Sequence, residues 1–426
     1  MFQFNTSAHP NLPKRPILYP GARLLLRIAI LTWAAACALA QDWPQFLGPA
    51  RNGVYSGNDL AASWPPDGPA VIWKKEVGHG FASPVVAEGR LILFHRIGGK
   101  EVVEALDAAT GRGIWSFDYP TTYRDDFGFD DGPRAAPTIA GGRVYTFGAE
   151  GALHCLDFVT GKKIWSLDTH RQFQVAKGYF GAAGAPLVDG GRVWMNIGGA
   201  LAGLAAFDAA TGKTLWTVPN QEASYSSPVA ATIQGLRHAL FLTRAGLVDV
   251  DPESGKVRDE LPWRARMKAS VNAATPIVVD DFVFVSASYG TGAILLQIGT
   301  NGLNKIWAND AALTNHYATS VYKDRFLYGY HGRQEERPSL RCIEFKTSYV
   351  RWNVAGYGGG TITLAGDKLL IVREGGELVL AAATPFEFQQ ISAAKVLPPT
   401  IRAYPAIANR RIYLRNEKTL ICLNLK

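Results

Sequence analysis

Apolar residues in this chain come in short runs separated by turn residues, and the runs repeat in a fixed order. "SPVVAEGRLIL" from Ser83 recurs as "APTIAGGRVYT" at Ala136, "APLVDGGRVWM" at Ala185, "SPVAATIQGLR" at Ser227 and "TPIVVDDFVFV" at Thr275. Three looser copies follow: "TSVYKDRFLYG" from Thr319, "TITLAGDKLLI" from Thr361 and "YPAIANRRIYL" from Tyr404. The first run of each copy is apolar at successive positions, as an innermost strand pressed between neighbours requires. The Gly-Arg or Asp-Arg step then reads as a hairpin turn and the second run as the next strand.

A second marker completes the unit. "LDAATGRGIW" at Leu106 is matched by "LDFVTGKKIW" at Leu156 and "FDAATGKTLW" at Phe207. Asp107, Asp157 and Asp208 each lead to a Gly (Gly111, Gly161, Gly212) and then a Trp (Trp115, Trp165, Trp216) at constant spacing; Trp307 and Trp352 mark two degenerate copies. Asp and Thr can hydrogen-bond the local backbone and Gly accepts a positive φ, so the motif predicts a turn between a third and a fourth strand. The Trp can fill the gap to the next sheet. Four strands every ~40 to 50 residues, with no helical periodicity, predict a β-propeller.

The ends decide the blade count. The last copy stops at "LICLNLK" after its third strand, while "PAVIWKKEV" from Pro69 is a Trp-bearing strand with no third strand before it. Pairing them closes the ring and removes the free edges. The expectation is an all-β, eight-bladed β-propeller of four-stranded antiparallel blades over residues 69–426, closed by an N-terminal strand completing the last blade. Residues 41–68, rich in Pro, Gly and Trp, read as an irregular strap against the disc.

Residues 1–40 stand apart. Lys14, Arg15, Arg23 and Arg27 precede the apolar run "IAILTWAAACALA", and Ala38-Leu39-Ala40 precedes "QDW". That order predicts a secretory signal peptide cleaved after Ala40, hence a periplasmic or secreted protein with no transmembrane helix after cleavage. Lipidation at Cys37 is the alternative, against which Ala34 stands where a lipobox carries a large aliphatic residue. Loss of four leader cations and no anions takes the formal charge from +8 to +4. With no basic stripe, a nucleic-acid partner is not indicated. Cys155, Cys342 and Cys422 occupy one repeat position three times, which reads as small buried strand residues and neither a disulfide nor a metal site.

The Leu-Asp-x-x-Thr-Gly-Lys-x-x-Trp repeat resembles that of the pyrroloquinoline-quinone (PQQ) propeller superfamily, the quinoprotein alcohol dehydrogenase-like group, over nearly the whole mature chain. "DWPQFLGPARNG", "NHYATSVYKDRFLYGYHG" and "VREGGELVLAAATP" resemble secreted PQQ-binding-like repeat proteins. The resemblance implies one of two activities. Quinoprotein dehydrogenases hold PQQ and Ca²⁺ on the propeller axis and oxidise alcohols or sugars; the propeller lipoprotein of the outer-membrane β-barrel assembly machinery binds proteins and no quinone. Fold does not choose between them. This sequence has no Cys-Cys pair to lie over a quinone and no Cys-x-x-Cys-His for haem.

Loops entering the innermost strands of a propeller converge at the mouth of its axial channel. Polar residues there are the candidate ligand contacts: Arg134, Tyr179, Asn272, His316 and Arg402. Arg134 and Arg402 can pair with ligand carboxylates; the alternative is that the polar residues salt-bridge one another across the mouth. Asp130 and Asp131 in "DDFGFDD" are the candidate base or Ca²⁺ ligand of an enzyme, although the loop lacks the alternating spacing of a calcium loop. No His pair has zinc spacing. The leading expectation is a monomeric, non-catalytic binding platform for an envelope protein, glycan or small ligand, with no cofactor; the alternative is a PQQ- and Ca²⁺-dependent dehydrogenase.

Overall fold

A computed structural model describes residues 41–426 apart from 58, 266, 268 and 269. The leader expectations, signal peptide and Cys37 lipidation alike, lie outside the described residues. The rest forms eight four-stranded antiparallel sheets, each starting at a predicted inner strand: Val85–Ala87, Thr138–Ala140, Leu187–Asp189, Val229–Ile233, Ile277–Val279, Val321–Lys323, Gly360–Ala365 and Ala406–Ala408. These begin blades 1 to 8 in order. The eighth is completed by Val71–Glu76, with Val71 opposite Leu423, Trp73 opposite Cys422 and Lys74 opposite Ile421.

The repeat motif joins blades to one another. In blade 1, Asp107 Oδ1 accepts the Ala109 and Thr110 amides and the Thr110 hydroxyl, and Gly111 takes φ +72°. The Trp of the preceding blade docks on that turn: Trp73 Nε1 donates to Ala108 O at 3.1 Å, Trp115 to Phe158 O, Trp165 to Ala209 O, Trp216 to Pro252 O, Trp307 to Phe345 O and Trp352 to Thr384 O. The glycine is needed twice over. A Cβ at Gly111, Gly161 or Gly212 would lie 2.7, 2.5 or 2.7 Å from the docked Trp73, Trp115 or Trp165 ring, in a backbone conformation that β-carbons disfavour. Glu344 builds the same turn with Ser348 at φ +63° in the glycine's place.

Two blades lack the Trp and use other means. Asp259 takes the Trp register in blade 4, and its carboxylate accepts the Leu303 amide of blade 5 at 2.6 Å. In blade 7 the position is Ser392, whose hydroxyl meets the backbone of Trp64, a strap residue buried in the cluster that joins blades 7, 8 and 1. The three cysteines fall on one register: Tyr145–Cys155–Trp165, Tyr328–Cys342–Trp352 and Tyr413–Cys422–Trp73 lie across adjacent strands, and all three thiols are free and buried.

The strap is more ordered than an irregular segment. Val54–Tyr55 pairs parallel with the inner strand of blade 7, Trp43 exchanges both backbone bonds with Val86 of blade 1, and Pro44 O accepts from Ile139 of blade 2. Arg51, fully buried, donates to the carbonyls of Ala185, Pro186 and Pro228, just before the inner strands of blades 3 and 4. Carbonyls leading into the inner strands converge on the axis, and this guanidinium satisfies several at once. Residues 43–55 therefore lie across the axial opening.

Candidate functional site

With one end of the channel crossed by the strap, the other end is a blind cup of about 200 Å³. Its floor includes Phe46, whose ring meets Tyr404 edge-on at 5.1 Å. The walls come from loops entering the inner strands: Phe81 and Ser83 (blade 1), Phe129 and Arg134 (blade 2), Phe180 (blade 3), Tyr225 (blade 4), Val271 and Ala273 (blade 5), His316 and Tyr317 (blade 6), and Arg402 and Tyr404 (blade 8). A residue before proline is held extended, which steers the loops entering blades 1 to 5 and 8 at Pro84, Pro137, Pro186, Pro228, Pro276 and Pro405. Hydroxyls tie them together: the Tyr404, Ala185 and Thr275 amides donate to Ser83, Ser227 and Thr319 of the next blade.

Arg134 and Arg402 flank the same ring. Their guanidinium carbons lie 5.8 and 5.5 Å from the centroid of Phe81; Arg402 also lies 4.9 Å from Phe129, and Arg134 5.8 Å from Phe180. Each has one carboxylate partner. Arg134 Nη2 donates to Asp125 at 2.6 Å within its own loop, and Arg402 Nε donates to Glu374 of blade 7 at 2.9 Å. The two cations are thus paired locally and not with each other's loops across the mouth. Among the described residues the terminal nitrogens of Arg402 have no protein acceptor.

His316 is held neutral, its pKa lowered to about 4 chiefly by burial and further by Arg333 and Arg402. Its Nε2 meets Tyr289 Oη at 2.8 Å. Burial, then the Glu374 charge, pushes the Tyr317 phenol well above its usual range, and its hydroxyl donates to Glu374 at 3.0 Å. The cup therefore presents aromatic faces, neutral hydrogen-bonding groups, two guanidiniums and, at Glu335, a carboxylate.

The other sequence candidates lie elsewhere. Tyr179 lines an adjoining recess beneath the Arg244 guanidinium. Asn272 pins its loop to blade 4: its side-chain amide donates to Thr243 O at 2.8 Å, leaving the neighbouring Val271 and Ala273 to face the cup. Asp130 is buried and accepts the Gly80 and Gly132 amides, while Asp131 accepts the Asp125 amide and pairs with Arg124. Neither lines the cup, because the acidic loop spends its carboxylates capping its own backbone. Phe81, Phe180 and Tyr225 obey the same positional rule as the polar candidates and complete the lining with aromatic surface. Phe46 carries no signal in the sequence.

A PQQ-repeat family model described as outer membrane protein assembly factor BamB matches residues 99–354. The quinohemoprotein alcohol dehydrogenase ADH-IIG of Pseudomonas putida is 35% identical over 162 residues, 36% of this chain and 22% of that protein. The chain thus spans about a fifth of that relative's length. Among solved structures, the quinohemoprotein alcohol dehydrogenase of Comamonas testosteroni aligns with TM-score 0.68 and 16% identity, covering 92% of this chain and 82% of the other. BamB of Moraxella catarrhalis aligns with TM-score 0.61 and 14% identity, covering 83% and 97%. At these identities the structural likeness speaks for the fold alone. No helix among the described residues is long and apolar enough to cross a membrane.

Proposed function

The chain belongs to the PQQ-like β-propeller repeat family, within the quinoprotein alcohol dehydrogenase-like superfamily, and from that premise we propose that it is a non-catalytic envelope protein whose axial cup binds a small planar organic acid. The observation that carries this is the pair Arg134 and Arg402 at 5.8 and 5.5 Å from the Phe81 centroid, with no acceptor among the described residues for the terminal nitrogens of Arg402. A guanidinium offering two parallel N–H groups beside aromatic faces suits a flat carboxylate. Export through the leader, a monomeric state and the absence of a bound cofactor belong to the same proposal.

The family's dehydrogenase chemistry fits this lining only in part. Aromatic faces and guanidiniums would suit the carboxylates of PQQ. A calcium shell and a carboxylate base would not find their groups: among the described residues the one carboxylate on the lining is Glu335, on a surface turn beside Arg333. The cup is also smaller than the ~300 Å³ at which cofactor pockets begin.

The test is titration of the purified protein with benzoate, phthalate and PQQ, followed by intrinsic Trp and Tyr fluorescence and calorimetry, with dye-linked alcohol oxidation assayed in the presence of PQQ and Ca²⁺. Saturable carboxylate binding that R402M weakens tenfold or more, with no turnover, is expected. Turnover with PQQ and Ca²⁺ would establish the dehydrogenase instead.

A further inference from the structure

At the seam where the ring closes, three side chains from separate loops turn toward one point. His79 follows the closing strand, Asp130 belongs to the loop entering blade 2, and Glu417 lies on the turn before the last strand of the chain. One potential ligand atom from each lies within 4.8 Å of the other two, and His79 Nδ1 is 3.6 Å from Asp130 Oδ2. Among the described residues no Lys or Arg nitrogen comes within 4.0 Å of either carboxylate. Arg415, the cation whose field reaches both, commits its guanidinium to the carbonyls of Gly78, Phe94 and Asn416. Two carboxylates within 4.8 Å of each other favour a cation between them.

The arrangement is built before any ion arrives. Asp130, its side chain wholly buried, is aimed by the Gly80 and Gly132 amides and keeps one acceptor site on each oxygen. The approach that makes this possible needs glycine: a Cβ at Gly132 would fall 2.4 Å from His79 O. The backbone of His79 is locked by two bonds to Arg96, at 2.9 and 2.8 Å. The imidazole itself is 59% exposed, which leaves an entry path and space for water ligands.

We infer that His79, Asp130 and Glu417 form a divalent transition-metal site that clamps blades 8, 1 and 2 at the closure. One imidazole and two carboxylates suit Zn²⁺, which accepts mixed nitrogen and oxygen donors with a fourth position open to water. Ca²⁺, which seeks six to eight oxygens, finds too few.

The experiment is calorimetric titration of tag-free, EDTA-treated protein with ZnCl₂ and, in parallel, CaCl₂, with melting temperature read at each metal concentration. One Zn²⁺ per chain, a saturable rise in Tm and no comparable response to Ca²⁺ are expected. H79A and E417Q, both at solvent-accessible positions, should each weaken Zn²⁺ binding by about tenfold or more, while H170A leaves it unchanged. Absence of stoichiometric uptake, or uptake that H79A and E417Q leave intact, overturns the site.

Discussion

The indole of Trp73 donates to the carbonyl of Ala108 at 3.1 Å, and its ring covers Gly111. Trp73 sits on the strand that closes blade 8, and Ala108 and Gly111 on the turn of blade 1, so one contact holds both the sheet closure and the blade junction. W73A should cost about 3 to 4 kcal/mol in urea unfolding, the lower half of the range for deleting a large aromatic because the ring is only partly buried. G111A should also destabilise, since the new Cβ meets the ring at φ +72°. Melts of both variants indistinguishable from wild type would rule out this role for the contact.

Trp64 does for the junction of blades 7 and 8 what a strand Trp does elsewhere, because Ser392 occupies the register. W64A should cost about 3 kcal/mol and should make residues 41–68 the first site of limited proteolysis. Cleavage patterns unchanged from wild type would show that the strap is held without it.

Histidines held neutral by burial make the protein acid-sensitive: His316 and His331 are both lowered to about 4, and two more lie deeper. His95 and His154 have pKa values lowered to about 3 and about 4, first by burial and then by neighbouring cations. The unfolded chain takes up their protons near pH 6.5 and the folded chain does not, so stability is intact above about pH 6.5 and declines as pH falls toward 4. Each histidine contributes at most ~1.4 kcal/mol per pH unit. Urea midpoints at pH 7.5, 6 and 5 measure the slope, and H154Q should reduce it by one histidine's share.

Cys155, Cys342 and Cys422 should be inert in the folded state. Burial pushes their pKa values up to about 11, 12 and 12, and a buried thiol supplies little thiolate. A thiol-specific dye should label none of the three until denaturant unfolds the disc; rapid labelling of any under native conditions contradicts the packing.

Most of the fold was legible because repetition amplifies weak signals. Asp107, Gly111 and Trp115 mean little alone, but their return at Asp157, Gly161 and Trp165 and at Asp208, Gly212 and Trp216 exposes a unit and its period. The site was legible only in part. Arg134, His316 and Arg402 reach the cup as their place before an inner strand predicts, whereas Asn272 and Asp130 hold the same kind of place and turn away to backbone groups, including those of the neighbouring blade's loops. Loop conformation, which depends on where each amide finds its acceptor, makes that difference.

Local chemistry along the chain was enough to determine the turns, the strand order within a blade, the count of blades and the strand that seals the ring, since each depends on residues near one another or on a period. Contacts between distant segments had to be seen in three dimensions: the strap laying Phe46 and Arg51 across the axis, Trp64 standing in beside Ser392, and the meeting of His79, Asp130 and Glu417. No pattern in sequence encodes these, because they arise from which surfaces come to face each other once eight sheets have closed around a common axis.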